Sequence, residues 1–317
     1  MSSLIDVIIP VYNCEKYLDQ CIESITGQTV KAIEIFARDD ASKDQSLELL
    51  HKHQNIKVSK NLRNLGNLET INLLLENTNA AYIAFQDSDD WSECSRFEEQ
   101  LQFLKSNNLD FCFSGYIKVD DTGSQELYRG RLQNNIIIDI SNCKELSEDV
   151  CFASVMMKRS VYEKIGGFHP IFNHIGSADL DWMYRAILNG FKAGILSKPL
   201  YYYRNNPASY TSWVSLNTMK FISPQLADHL FEERFKKKDA NFIPTHESIA
   251  QFARTKLAQI GFNKKEHIRN YIIQQINNRK FVSAIRHFPK FLLSSPKSLK
   301  DLKLFNFLLF SILNAKR

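Results

Sequence analysis

Short, β-branched apolar runs alternate with helical segments over the first third of the chain, and this alternation limits the fold more than any other feature. The runs at residues 5–11, 33–37, 56–58 and 80–85 are typical of buried strands. Between them, apolar residues recur with helical spacing. A strand, a helix and a further strand in succession form a parallel sheet with right-handed crossovers. The sequence therefore predicts an α/β fold with a mostly parallel sheet flanked by helices.

Local signals place the ends of several elements. Asn13 is the predicted N-cap of a helix over residues 15–26, and Ser42 with Gln45 has the spacing of a capping box. Further on, residues 177–189 read as a helix, and residues 193–196 and 201–203 as short, separate strands. Helical periodicity dominates beyond Trp213. These patterns predict two parts, residues 1–214 and a helical C-terminal region, residues 215–317.

Charge is unevenly divided between these two parts. Residues 215–317 contain 19 Lys and Arg against 7 Asp and Glu, a net charge of +12, whereas residues 1–214 carry −7, since the whole chain has +5. A basic region of this kind indicates contact with an anionic surface. Its end, residues 281–316, reads either as an amphipathic interfacial helix or as an ordinary basic helix packed on the body. Peripheral membrane contact and a homodimer are the two partner hypotheses, and no nucleic acid is expected because the aromatics lie in apolar company.

Targeting and redox signals are few. Asp6 interrupts the early apolar run and no basic segment precedes it, so a secretory signal is not expected. No run reaches the ~18 apolar residues of a membrane span. The six cysteines form no CxxC pair, which argues against a zinc site. The expected location is the cytoplasm, at the cytoplasmic face of the inner membrane.

Three carboxylates follow the fourth predicted strand. Asp87, Asp89 and Asp90 lie directly after residues 80–85. Open α/β sheets bind ligands at the carboxyl ends of their strands. Crowded carboxylates repel one another, and a hard divalent cation with oxygen ligands would offset that repulsion. The alternative is a solvated acidic turn that caps the next helix.

Several motifs occur together in a fixed order. They are IIPVYN at residues 8–13, DDASKD at 39–44, NLGN at 64–67, DSDDW at 87–91, a basic helix followed by GGF at 159–168, ADLDWMYR at 178–185 and YYYRNNP at 201–207. The ordered set resembles the family 2 glycosyltransferases, inverting enzymes with the GT-A fold, of the type that builds bacterial cell-surface polysaccharides. The resemblance covers roughly residues 4–212.

The resemblance implies a nucleotide-sugar donor, usually a UDP-sugar, a divalent metal (Mn²⁺ or Mg²⁺) and a glycan or lipid-linked acceptor. By the family's pattern Asp89 is the direct metal ligand, and Asp87 lies near the metal and the ribose. The donor-binding residues implied are Pro10, Val11, Tyr12, Asp40, Asn67, Asp87, Ser88 and Asp90. Asp40 would accept a hydrogen bond from the uracil ring, and Asp90 would border the donor sugar.

Each of these roles has a structural alternative. Asp40 and Asn67 could serve as helix caps, and Tyr12 could serve in packing. Inversion needs one general base for the acceptor hydroxyl. The family's pattern implies Asp179, Asp181 is the competing candidate, and the third hypothesis is that both acids merely favour a helix N-terminus.

The chain departs from the family's pattern at four positions. Ala178 replaces a Glu, Ile71 an Arg, Asn206 a His and Ala41 a Gly; the last matters if the turn needs a positive φ. Two other functions are weighed. A nucleotidyltransferase would need a glycine- and lysine-rich loop near the N-terminus, which residues 8–15 lack. The other is a degenerate transferase, or a nucleotide- or nucleic-acid-binding protein without catalysis.

Overall fold

The computed structural model of the protein describes residues 3–206, 217–277, 283–287 and 289. The strands are β1 (Ile5–Val11), β2 (Ile33–Asp39), β3 (Ile56–Lys60), β4 (Tyr82–Phe85), β5 (Trp91–Ser92), β6 (Phe111–Val119), β7 (Glu126–Arg129), β8 (Ile136–Ile138), β9 (Met156–Lys158) and β10 (Ala193–Arg204). The helices are α1 (Leu18–Thr26), α2 (Ser46–Lys52), α3 (Asn67–Leu75), α4 (Arg96–Ser106), α5 (Cys143–Leu146), α6 (Arg159–Ile165), α7 (Ala178–Leu188), α8 (Thr218–Lys237), α9 (His246–Gln259) and α10 (Lys264–Asn277).

The strands form one mixed sheet in the order β3-β2-β1-β4-β9-β6-β10-β5, with β7 beside β6 and β8 beside β10. Strands β1 to β4 are parallel, as the alternation of strands and helices predicts. From β4 onward, β9 runs antiparallel between β4 and β6, while β10 is parallel to β6. The α/β fold with helices flanking the sheet is confirmed. Strands and helices do not alternate through the whole sheet, because β5, β7, β8 and β9 each follow a loop or a strand without an intervening crossover helix.

Strand β1 lies in the middle of the parallel part and is buried over its whole length. Its one charged residue, Asp6, is fully buried and accepts hydrogen bonds from the backbone N–H groups of Asn79 and Ala80 and from the Ser3 hydroxyl. These donors satisfy a carboxylate that would otherwise be costly to bury. Because β1, β2 and β4 are parallel, the residues that follow them meet at one edge of the sheet.

Two predicted caps are wrong. Asn13 has φ of 50° and its side chain accepts a hydrogen bond from Lys43 N, while α1 begins five residues later at Leu18. Ser42 does not begin a helix either: its hydroxyl accepts a hydrogen bond from Asn13 N, and α2 begins at Ser46. The two loops after β1 and β2 therefore bind each other, and this use of their side chains outcompetes capping.

Two further differences lie in the second half. The runs at 193–196 and 201–203 form one strand, β10, which continues past a register shift at Pro199. Contacts divide the chain into two units, one with residues 3–206 and 223–243, and one with residues 217–222 and the described residues after 243. Domains divided at residue 214 stay a prediction, and most of residues 281–316 lie outside the described residues. In the part of the chain that the structure describes, no helix is long and apolar enough to cross a bilayer.

Candidate active site

The carboxyl ends of β1 and β2 form one side of the site. Pro10 and Val11 are buried, and Val11 belongs to the hydrophobic core, so its contribution to any ligand contact would come from its backbone. Tyr12 is 46 % exposed at the same edge. The Val11 carbonyl accepts a hydrogen bond from Asp40 N at 2.8 Å, which holds the two strand ends together. Of these three residues, Tyr12 offers its side chain to a ligand.

Asp39 and Asp40 are both buried, but their carboxylates are used differently. Asp40 accepts hydrogen bonds from Asn61 Nδ2 (2.8 Å), Leu65 N (2.7 Å) and Gly66 N (2.8 Å). Those donors bring the 61–66 loop onto the end of β2, so Asp40 is not a helix cap but holds this loop in place, and its contact with the uracil ring stays a prediction.

One of the two oxygens of the Asp39 carboxylate has no hydrogen-bond partner among the described residues. Its Oδ2 accepts a hydrogen bond from Ser42 N at 3.0 Å, whereas its Oδ1 is buried without a partner among the described residues. A buried carboxylate oxygen without a donor costs free energy and requires an explanation. A ligand that donates a hydrogen bond at this point would supply the missing partner.

Ala41, the residue after these two acids, has φ of 59°. The turn therefore does need the left-handed conformation, which costs an L-residue roughly 1–2 kcal/mol. Glycine removes that cost but adds about 0.5–1 kcal/mol of unfolded-state entropy. We expect Ala41→Gly to raise the free energy of unfolding by about 0.5–1 kcal/mol, measured by urea denaturation. Ala32→Gly, at an exposed residue without positive φ, is the control and should be destabilising; equal effects would contradict the strain.

Asn67 lies on the same side of the site. It is the first residue of α3 and is exposed, while the N-cap is Gly66, with φ of 92°. The capping alternative for Asn67 is therefore wrong, and its contact with a donor stays a prediction.

The loop after β4 carries the three acids, and they differ in their partners. Asp90 is buried and accepts hydrogen bonds from the Tyr201 hydroxyl (2.9 Å) and from Arg204 N (2.7 Å), so it fastens β10 to this loop. Ser88 is also buried, with its hydroxyl on Cys14 Sγ at 3.2 Å. Both side chains are held by the protein's own groups, and their contacts with a donor stay predictions. Asp87 and Asp89 are half-buried at the surface of the loop.

Arg204 and Asn206, from the end of β10, orient Asp89. Asn206 Nδ2 donates to Asp89 Oδ2 at 3.0 Å, and Arg204 Nε donates to the Asp89 carbonyl at 2.8 Å. The Arg204 guanidinium lies between the rings of Tyr17 and Trp91, 4.7 Å from each centroid. Asn206, which replaces the family's His, thus holds one oxygen of Asp89 and leaves the other for a ligand.

Asp87 has the most informative electrostatics in the loop. Burial, the Asp89 carboxylate and the Asp179 carboxylate together raise the pKa of Asp87 to about 7, against the opposing charge of Arg96. Burial also raises the pKa of Asp89. Negative charge is therefore crowded here, and a cation would relieve it.

These two carboxylates fit a divalent metal. Carboxylate oxygens are the ligands that Mg²⁺ and Mn²⁺ prefer, and Mg²⁺ usually takes one or two of them together with phosphate oxygens. Within residues 3–206 and the other described segments, no cluster of three or more His, Cys, Asp and Glu side chains could hold a metal. A metal at Asp87 and Asp89 would therefore complete its coordination with a ligand.

Arg96 is a site residue that the sequence analysis missed. It is fully buried behind the acidic loop and donates to the Phe85 carbonyl (2.9 Å), Gln86 Oε1 (3.0 Å) and Ser92 Oγ (2.9 Å). Burial lowers its pKa to about 10. A usable signal exists: Arg96 and Gln100 are four residues apart on the inward face of α4, where apolar residues are expected.

Helix α7 supplies the opposite side of the site. Asp179, in its first turn, accepts a hydrogen bond from Leu180 N at 2.8 Å and is exposed at the rim of a small pocket. Many protein atoms nevertheless surround its carboxylate, and this loss of hydration raises its pKa. Ser177 begins the helix with φ of 61°. The Asp179 charge contributes to the raised pKa of Asp87, so these residues, 92 positions apart in the chain, lie near each other in the fold.

Asp181, the competing base, is in a different environment. It is fully buried, and its two oxygens pair with Arg185 Nε at 3.1 Å and Arg234 Nη1 at 2.6 Å. A carboxylate closed off by two buried guanidinium groups cannot reach an acceptor hydroxyl. The structure therefore excludes Asp181 as the general base and gives it the role of joining α7 to α8.

The family model for glycosyl transferase family 2 matches residues 6–166, which include β1, β2 and the acidic loop. The chain belongs to glycosyl transferase family 2. The protein is therefore a glycosyltransferase, and the resemblance seen in its motifs is confirmed.

Relatives of this family 2 transferase include two curated bacterial proteins. An uncharacterized glycosyltransferase of Haemophilus influenzae is 36 % identical over 126 residues, 38 % of this chain and 50 % of that protein. The UDP-Glc:α-D-GlcNAc-diphosphoundecaprenol β-1,3-glucosyltransferase WfaP of Escherichia coli is 26 % identical over 224 residues, 70 % of this chain and 84 % of that protein. The chain thus spans half the length of the first relative and most of the second.

The fold of this family 2 transferase also occurs in solved structures. The crystal structure of S. aureus TarS 1–349 in complex with UDP-GlcNAc superimposes with a TM-score of 0.59 at 19 % identity, covering 86 % of this chain and 81 % of that one. At this identity the likeness shows the fold alone, and it confirms the GT-A fold.

Proposed function

We propose that this protein transfers a sugar, with inversion, from a UDP-sugar to a hydroxyl of a glycan or lipid-linked acceptor in the synthesis of a cell-surface polysaccharide. The observation that carries the proposal is that the carboxylates of Asp89 and Asp179 lie near enough to Asp87, at the carboxyl edge of the sheet, to raise its pKa. Binding of UDP-GlcNAc by TarS and the lipid-linked acceptor in the name of WfaP support a nucleotide-sugar donor and such an acceptor.

In this proposal Asp179 acts on the acceptor, and Asp87 and Asp89 act on the donor. Asp179 takes the proton of the acceptor hydroxyl as that oxygen attacks the anomeric carbon from the face opposite the diphosphate. The bond from the anomeric carbon to the diphosphate oxygen breaks, and its electron pair leaves with UDP. Asp87 and Asp89 would hold Mn²⁺ or Mg²⁺, which supplies Lewis-acid stabilisation of the leaving diphosphate when bound. Asn206 and Arg204 keep Asp89 in position.

For the hydrogen bond to the uracil ring of the donor, we propose Asp39 in place of Asp40. The uracil N3–H would donate to Asp39 Oδ1, which is buried without a partner among the described residues. Both oxygens of Asp40 are already hydrogen-bonded to the 61–66 loop. Tyr12, exposed at the same strand edge, would pack on the base.

Calorimetric titration of UDP, with and without Mn²⁺, tests the donor half of the site. Wild-type protein should bind UDP in a metal-dependent way. Asp39→Asn should weaken binding about 10- to 100-fold, since a hydrogen bond to a charged group is worth ~1.5–3 kcal/mol. The matched variant Asp40→Asn should instead lower stability and keep UDP affinity within about threefold. If folded wild-type protein binds no UDP, the donor proposal fails; if only Asp40→Asn weakens binding, the exchange of roles is wrong.

We also propose that the basic C-terminal region holds the enzyme on an anionic bilayer. Residues 215–317 have a net charge of +12, and each Lys or Arg near an anionic surface contributes about 1 kcal/mol. The protein should co-sediment with vesicles that contain phosphatidylglycerol, release at high salt, and bind more weakly when Lys297, Lys300 and Lys303 are changed to Gln. Equal binding to neutral vesicles would contradict this, and a concentration-dependent dimer without vesicle binding would favour the homodimer.

A further inference from the structure

A small pocket opens beside Asp179, between residues 147–152 and the first two turns of α7. Its lining residues are Ser147, Val150, Phe152, Asp179, Leu180 and Met183. Its volume is about 40 Å³. One water needs about 10–15 Å³ by this measure, so the pocket has room for about three waters. It is too small for a sugar ring but matches a substituent of three or four heavy atoms.

The walls of this pocket are apolar and held in place. The Phe152 ring packs against Phe85 and Trp182, with centroid distances of 5.7 and 5.6 Å. Met183 is buried in α7. Aromatic rings packed edge to face on several neighbours have little freedom to move. The pocket is therefore largely preformed, as binding pockets usually are.

Two polar groups accompany the apolar walls. The Ser147 hydroxyl donates to the Lys144 carbonyl at 2.7 Å and also interacts with the Tyr184 hydroxyl, so it is already engaged. The Asp179 carboxylate lies at the rim. The pocket thus combines space for a methyl group with a carboxylate at its rim that can accept one N–H.

We propose that this pocket holds the acetamido group of an N-acetylhexosamine acceptor and so directs transfer to the 3-hydroxyl of that sugar. The acetamido group has four heavy atoms, which matches the size of the pocket: its methyl would lie against the apolar walls, its N–H would donate to the Asp179 carboxylate, and its carbonyl oxygen would stay at the solvent-open side. This rests on the proposed function, in which Asp179 is the general base.

The regiochemistry follows from the shared pocket. Asp179 must lie within about 2.6–3.2 Å of the hydroxyl that it deprotonates. If the Asp179 carboxylate accepts both the acetamido N–H and the proton of the reacting hydroxyl, that hydroxyl is on a carbon next to C2. In a glycoside, O1 is already substituted, so O3 is the remaining neighbour. O3–H gives its proton to Asp179, O3 bonds to the donor's anomeric carbon, and UDP leaves with the electron pair of the broken bond.

Saturation-transfer NMR with methyl glycosides tests the proposal, with the donor site filled by UDP and diamagnetic Mg²⁺. The methyl glycosides of N-acetylglucosamine and N-acetylgalactosamine should bind at least about tenfold more tightly than those of glucose and galactose, since one methyl in a fitted pocket is worth about tenfold or more. The strongest transfer should reach the acetyl methyl. With whichever UDP-sugar turns over, the product should be linked at O3, and a 3-deoxy acceptor should bind without reacting.

Two variants distinguish binding in the pocket from binding elsewhere on the surface. Val150→Phe fills the pocket and should remove the preference for the N-acetyl sugars while metal-dependent UDP binding stays at the wild-type value. Ile137→Phe, at an exposed position of β8, is the matched control and should keep the preference.

Each outcome decides the proposal. Equal binding of the N-acetyl and hydroxyl glycosides, a preference that survives Val150→Phe, or transfer to a hydroxyl other than O3 overturns it, while normal UDP binding leaves the proposed donor half standing. If UDP fails to bind, the donor half fails separately, and the glycosides alone still test the pocket.

Discussion

Replacing Asp179 with Asn should lower kcat about a thousandfold and leave UDP binding unchanged. A positioned general base contributes ~10²–10⁴ in rate, so its loss costs about 4 kcal/mol of transition-state stabilisation. Asn keeps the oxygen that accepts the hydrogen bond from Leu180 N, so the start of α7 should stay folded. Single-turnover kinetics with a panel of UDP-sugars measures the chemical step, and calorimetry measures UDP affinity.

The pH profile of kcat/KM gives Asp179 a second test. Loss of hydration raises its pKa, so the carboxylate becomes protonated at a higher pH than an ordinary Asp. Activity should fall as pH decreases through that pKa, and Asp179→Asn should abolish this limb of the profile. Asp19→Asn, an exposed acid paired with His53 on the other side of α1, is the control and should keep both rate and profile. Wild-type kcat in Asp179→Asn would remove Asp179 from the mechanism.

Asp89→Asn should abolish metal-dependent UDP binding and lower activity about a thousandfold or more. The change removes one of the two carboxylates proposed to hold the metal, and a Lewis acid on the leaving group is worth several kcal/mol. Asn at this position still offers an oxygen to Asn206 Nδ2, so the loop should keep its shape. Calorimetry of UDP with Mn²⁺ measures the loss, and thermal unfolding checks the fold.

The same titration should depend on pH because of Asp87. Its pKa is raised to about 7, and metal ligands must be deprotonated to bind. Metal-dependent UDP affinity should therefore weaken as pH falls below 7 and level off above it. Glu163→Gln, an exposed acid paired with Arg159, is the charge-matched control and should bind UDP normally. Retained metal dependence in Asp89→Asn would show that the metal, if bound, is held elsewhere.

Hydrophobic periodicity in the sequence was sufficient to predict most of the strands and helices of the α/β fold. Strand β1 occurs with the predicted bounds, because it is a short apolar segment whose pattern is local. The placement of acids after β4 also followed, because residues after parallel strands meet at one edge. Antiparallel β9 could not be predicted, since its three residues pair with β4 and β6, which are distant in sequence.

Only tertiary contacts show how neighbouring acids are hydrogen-bonded. By residue type Asp39 and Asp40 are alike, as are Asp179 and Asp181, and the family's pattern pointed to Asp40 and Asp179. The 61–66 loop takes up Asp40 and leaves Asp39 Oδ1 without a partner among the described residues. Arg234, 53 residues further along the chain, neutralises Asp181 and leaves Asp179 at the rim of the cleft.

The physical reason is the range of the interactions. Apolar burial and backbone hydrogen bonding set strands and helices through neighbours a few residues apart, so the sequence by itself determined the α/β framework, the family and the acidic edge of the sheet. The state of a carboxylate depends on charges, donors and water within a few ångströms in space. Only the folded chain brings Arg234, Asn206 and the 61–66 loop to that distance, where they bind Asp181, Asp89 and Asp40 respectively.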